Sequence, residues 1–236
     1  MSRLPASYDP AAPPDPEFRS APRAGRVLCF APHADDEVIG PGGALALHRR
    51  QGDPVRVVIA TAGTAGDPDG RFAGEDLAAL RRAESRAGLA RLGVEDLAFW
   101  GYPDSCVVTP ADLDGISARA AAEIAAFGPQ VVYLPWAGER NSDHRALHAG
   151  VARALDRVGF TGEALGYEVW TPMDPDLVLD VSPVVDAKRA AIRCYATQVC
   201  YVDYEHVILG LNAYRSLLHQ RGQGHAEAFQ HLGGRP

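Results

Sequence analysis

The chain of 236 residues has no apolar run long enough to span a membrane, and residues 1–22 lack the apolar centre of a secretory signal. A cytoplasmic location is therefore expected. Cysteine is scarce: the four, Cys29, Cys106, Cys194 and Cys200, show no CxxC spacing and read as reduced thiols rather than a disulfide framework. Long Lys/Arg runs are missing as well, and 23 basic against 30 acidic residues give a formal net charge of −7. That balance argues against a nucleic-acid surface and leaves small neutral or cationic molecules open. There is no internal repeat and no mid-chain linker.

What is present is an ordinary globular composition, 47% hydrophobic and 22% charged, with enough apolar content for one large core. Residues 1–22, rich in Pro, Ala and Ser, read as a flexible N-terminal arm ahead of one domain over 23–236. Apolar, β-branched runs at 26–31, 55–61, 97–101, 131–135, 166–170 and 177–181 predict strands. Helical patterns at 38–51, 75–92, 111–127, 143–157, 184–197 and 204–220 lie between and after them. Short buried strands alternating with amphipathic helices predict a single α/β domain of Rossmann-like, three-layer layout with a mostly parallel central sheet. The layout does not imply a dinucleotide. Gly40-Pro41-Gly42-Gly43 departs from GxGxxG spacing, and Pro41 removes an amide that a phosphate would need.

Two loops carry the chemistry. After the first long strand, His33-Ala34-Asp35-Asp36-Glu37 places one imidazole and three carboxylates in five residues. After the strand at 131–135, Asn141-Ser142-Asp143-His144 adds a second acidic, histidine-bearing loop. Loops at the carboxyl edge of such a sheet are where ligands bind. His33 and Asp36, three residues apart in a turn, can face one divalent ion, with His144 closing the sphere. Adjacent side chains in a turn diverge. Asp35 and Asp36 therefore divide into one ligand and one carboxylate beside the bound water, placed to take its proton. His148, four residues beyond His144, is a candidate pocket residue, although Arg145 stands where HExxH would have Glu. Tyr102, Trp136 and Trp170 are candidates to stack on a flat ligand face.

The first loop resembles the AHPDDE motif of LmbE-like (PIG-L) zinc deacetylases, and the second resembles their HxDH motif. Weaker similarity continues through Arg81-Arg82-Ala83-Glu84, Gly101-Tyr102-Pro103-Asp104, Tyr167-Glu168-Val169-Trp170 and Ala226-Glu227-Ala228-Phe229. The resemblance implies hydrolysis of an N-acetyl group from a glucosamine-type sugar or sugar conjugate, with metal-bound water as nucleophile. It implies zinc, or another divalent transition metal, held by His33, Asp36 and His144, with Asp35 as general base and Asp143 orienting the site. It further implies substrate contacts from Arg81 and Asp104. The expected partner is a small N-acetylated sugar or conjugate, with neither nucleic acid nor membrane; homo-oligomerisation stays open.

Two positions depart from the motifs. Ala34 replaces a proline, and Asn141 replaces the first His of HxDH. An amide can donate to an oxyanion but cannot shuttle a proton at neutral pH. Either Asp35 carries both transfers, or another group such as His225 enters, or catalysis is weak or absent. Alternative readings are a thiol-conjugate amidase of the same family and a metal-binding protein without turnover. A phosphoacceptor regulatory domain, with Asp104 as the acceptor, is a rival of another class.

Overall fold

The computed structural model describes residues 15–107 and 109–233. Among them, β1 (Glu17–Arg19), β2 (Val27–Ala31), β3 (Val55–Thr61), β4 (Asp96–Tyr102), β5 (Val131–Pro135), β6 (Glu163–Tyr167), β7 (Leu177–Asp180) and β8 (Ala226–His231) form one sheet. Its order is β1-β7-β8-β6-β5-β2-β3-β4. The helices are α1 (Asp36–Ile39), α2 (Gly42–Arg50), α3 (Leu77–Arg91), α4 (Pro110–Phe127), α5 (Ser142–Val158), α6 (Val185–Ile192), α7 (Ala196–Val199), α8 (Tyr204–Arg215) and α9 (Leu217–Gln220). All neighbouring strands run parallel except β8, which is antiparallel to both β6 and β7.

Alternation along β2 builds both cores. Val27, Cys29 and Ala31 point into one layer with Val38 of α1, Leu45 of α2 and Leu89 of α3. Leu28 and Phe30 point into the other, with Ile116 and Ile124 of α4 and Leu147 and Val151 of α5. The result is the expected three-layer, mostly parallel α/β domain. Local chemistry fixes the helix ends. Thr109 and Asp112 form a capping box ahead of α4, which stops at left-handed Gly128.

Several boundaries differ from the sequence pattern. Residues 1–14 of the arm lie outside the described residues, but Glu17, Phe18 and Arg19 pair with Leu177, Val178 and Leu179 as an edge strand. The sixth strand ends at Tyr167 because the next amides, at Val169 and Trp170, donate to the Glu139 carboxylate instead of a ladder. The first helix breaks at Gly40-Pro41. Pro41 lacks an N–H, and a Cβ on Gly40 would lie 2.5 Å from the Tyr167 ring. The helix expected over 184–197 splits into α6 and α7. The one over 204–220 divides at Ser216, whose hydroxyl donates to the Ala213 carbonyl.

Candidate metal centre

Strand β2 pairs with β3 on one side and β5 on the other, so the direction of winding reverses between β2 and β5. This is the switch point at which open α/β sheets bind ligands, and both histidine-bearing loops leave the sheet there. Asp36, the first residue of α1, is the hub. Its Oδ2 accepts the His33 backbone amide at 2.9 Å, and lies 3.0 Å from His33 Nδ1 and 3.2 Å from His144 Nε2. Ligand atoms of His33, Asp36 and His144 all fall within 4.8 Å of one another. These three are the residues named from the sequence for the metal.

Their electrostatics calls for positive charge. Burial lowers the His33 pKa, but hydrogen bonds to Asp143 and Asp36 outweigh it and raise it to about 10. His144 follows the same pattern: burial opposes, the Asp36 charge prevails, and the pKa rises to about 9. Asp36, although buried, is held far below the usual carboxylate range by the two imidazoles. His144 is fully buried, yet neither ring nitrogen makes an aligned hydrogen bond. A buried imidazole with both nitrogens unbonded is costly unless something else takes a lone pair. A divalent cation on Nε2 fits that need and this mixed N/O donor set.

Around this trio stand the remaining named residues. Asp143 accepts from Ser105 N at 2.9 Å and lies 3.2 Å from His33 Nε2, fixing the ring. His33, Asp104 and Asp143 form a second set within 4.8 Å, but backbone amides already engage both carboxylates. Asp35 is buried beside the trio, and burial, opposed by the Arg81 charge, pushes its pKa up to about 6. Arg81 is buried, only 3% exposed. Its guanidinium donates to the carbonyls of Gly63 and Ala34 and sits 3.3 Å from Asp35 Oδ2. Asp104 accepts from Gly63 N at 3.0 Å and Ala65 N at 2.6 Å, so it ties down the loop after β3. A phosphoacceptor would need that carboxylate free.

All of these except His144 line one cavity of about 270 Å³. Asn141 lines it too, as the N-cap of α5; its Oδ1 accepts Asp143 N at 2.8 Å, so the amide nitrogen is left as its donor. Two expectations need correction. His148 is absent from the cavity wall, because α5 carries its Nδ1 to within 2.8 Å of the Pro135 carbonyl. His225 lines a separate surface hollow with Asp203 and His206, so it does not supply the missing proton. Of the three aromatic candidates, Trp170 alone lines the cavity; the Trp136 indole donates to Thr171 O.

Residues 28–155 match the family described as PIG-L, GlcNAc-PI de-N-acetylase. A 1D-myo-inositol 2-acetamido-2-deoxy-alpha-D-glucopyranoside deacetylase from Mycobacterium sp. (strain KMS) is 32% identical over 74% of this chain and 74% of its own. The chain belongs to the PIG-L family. Among solved structures, N,N'-diacetylchitobiose deacetylase from Pyrococcus horikoshii superposes with a TM-score of 0.73 at 23% identity, covering 88% of this chain and 83% of the other. A 4-carboxy-2-hydroxymuconate hydratase from Pseudomonas putida does so with 0.76 at 23% identity, covering 91% and 98%. One fold thus carries two reactions, and the reaction of this PIG-L member must be argued from its site.

Sequence reasoning gave no role to several residues at the site. Glu139, 1% exposed, brings Oε2 to 3.5 Å from His144 Nδ1 while Oε1 accepts Val169 N at 2.7 Å. Metal-ligating histidines commonly meet a carboxylate on the far nitrogen, so a lone acid five residues before His144 was the available signal. Glu37 accepts Asp35 N at 2.9 Å and the Tyr195 hydroxyl at 2.7 Å, and burial raises its pKa to about 7. Gln198 and Tyr204 reach the cavity from α7 and α8, with no motif to mark them.

Proposed function

We propose that this protein is a zinc-dependent hydrolase that removes the acetyl group from an N-acetylglucosamine-type sugar or its conjugate. The observation that carries the reading is the gathering of His33, Asp36 and His144 around one point, with the unbonded, buried His144 ring at its centre. The names of the relatives, deacetylases of glucosamine-containing compounds, support the substrate class.

His33, Asp36 and His144 would hold the cation. When bound, it supplies Lewis acidity toward water and the acetamide carbonyl. Asp35 takes the proton of the attacking water and returns it to the departing amine. Arg81 faces that carboxylate, and the hydrogen bond from the Asp35 backbone N–H to Glu37 holds the backbone that carries it. Asp143 holds His33 through Nε2, and Glu139 faces the outer nitrogen of His144. The Asn141 amide nitrogen would donate to the oxyanion that develops on the acetyl carbonyl oxygen, a role that needs no proton transfer. With an amide at position 141, both proton transfers fall to Asp35. Its raised pKa suits a group that must accept and then release a proton near neutral pH.

The test is metal analysis of the purified protein, joined to acetate release from free, nucleotide-linked and glycoside-linked N-acetylglucosamine and to release of the free amine from a thiol-conjugate amide. About one zinc per chain and acetate release that stops on chelation and returns with zinc support the assignment. Turnover that survives complete chelation would overturn it, and preference for the thiol conjugate would favour the amidase.

A further inference from the structure

The cavity has unlike walls. Asp104, Ser105, Asn141 and Asp143 give it polar lining, and Trp170, half exposed, adds an aromatic one, its ring edge-on to Tyr204 with centroids 5.8 Å apart. Beyond those two rings lies a second hollow of about 60 Å³ that shares both with the cavity. Its other walls are aliphatic: Ile39, Val169, Val202, Val207 and Ile208. Val207, on α8, is 54% exposed and Trp170 is 50% exposed, so the hollow is open to a ligand from outside. An apolar hollow walled mostly by buried side chains, with Trp170 and Val207 exposed at its rim and two rings shared with a binding cavity, is a place for an apolar part of the same ligand. A polar group entering this hollow would lose water and find no aliphatic wall able to replace it. The volume suits a short alkyl chain or one ring and is far too small for a helix of a partner protein.

We propose that this hollow is an aglycone subsite, and that the preferred substrate is an N-acetylglucosaminide whose aglycone is a small apolar group packed between Trp170 and Val207. The inference rests on the deacetylase reading and narrows its substrate. The proposal puts the acetamide at the His33–Asp36–His144 centre, the sugar in the cavity lined by Arg81 and Asn141, and the anomeric substituent toward Trp170 and Tyr204, which wall both spaces.

The experiment compares kcat/KM of the zinc-loaded protein for methyl, hexyl and phenyl N-acetyl-β-D-glucosaminides and for diacetylchitobiose, whose aglycone is polar. Calorimetric titration with the hexyl glucosaminide product runs in parallel, and Val207→Asp and Val207→Leu are carried through both arms. Each buried methylene contributes about threefold to fourfold, so burial of two or more should make the hexyl glycoside exceed the methyl one by about tenfold or more, chiefly through KM. In V207D that ratio should fall to about one, while V207L retains it. A hexyl-to-methyl ratio of one in the wild-type protein, a ratio unchanged in V207D, or diacetylchitobiose outrunning the hexyl glycoside would overturn the subsite. If no glycoside releases acetate, the deacetylase reading fails instead, and product binding that is lost in V207D but kept in V207L then decides the subsite by itself.

Discussion

Two buried charged clusters flank the break between α1 and α2, and they are built on opposite principles. Beneath α2, fully buried Lys188 donates to Gly40 O at 2.9 Å and to Glu227 Oε1 at 2.6 Å. Glu227 in turn accepts Gly43 N at 2.6 Å and Ala44 N at 2.8 Å, capping the helix. Every charge there has its partner. At the end of β2, by contrast, His144 has both nitrogens out of hydrogen bonds and Arg81 has an unpaired Nε. A satisfied buried network holds a fold; a partly satisfied one holds a place for something else.

The comparison is sharpened most by Asp35→Asn. Because burial disfavours the Asp35 charge, the amide should leave thermal stability unchanged or raised and zinc content intact, while kcat falls by about 10²-fold to 10⁴-fold. Acetate release, metal analysis and a melting curve on one sample check all three; retained turnover removes Asp35 from proton transfer. Next in size is Glu227→Ala, which strands the Lys188 ammonium and should cost about 3–5 kcal/mol in urea unfolding. The Lys188→Met, Glu227→Met double variant should regain most of that loss, and zinc affinity of the folded fraction should change little. If E227A proves as stable as the parent protein, the contrast between the clusters collapses. The smallest effect expected is for Glu139→Gln, which keeps the shape but removes the charge facing His144 Nδ1. Zinc affinity, followed by competition with a chromophoric chelator, should drop about tenfold to a hundredfold.

How far the sequence announced all this depends on how local each feature is. Strands β2 and β5 are uninterrupted buried runs, so composition alone marks them, and the histidine-bearing loops follow them directly. The three side chains that meet within 4.8 Å come from those loops, and an α/β reading brings the loops to the same edge. The antiparallel β8 carried no such mark: Ala226–His231 mixes apolar residues with Glu227 and Gln230, and its place between β6 and β7 comes from tertiary pairing. Edge strand β1 has only three residues, too few for a period to show. Gln198 and Tyr204 reach the cavity from two helices, and nothing in their immediate neighbours says so; Glu139 meets His144 from a loop, marked only by its spacing. His148 erred the other way, because helical spacing aligned it with His144 but α5 directs its ring to the Pro135 carbonyl.

The placement of β8 also governs when this molecule can be finished. The last strand in the chain is wedged between β6 and β7, with β1 beyond them at the margin. During synthesis, the β2-β3-β4-β5-β6 portion can zip together as it emerges, but the outboard β1–β7 pair has nothing to join it to that sheet until residues 226–231 leave the ribosome. Until that moment β6 presents a bare hydrogen-bonding edge, and an arrest anywhere before Ala226 leaves a sheet that is sticky on one side.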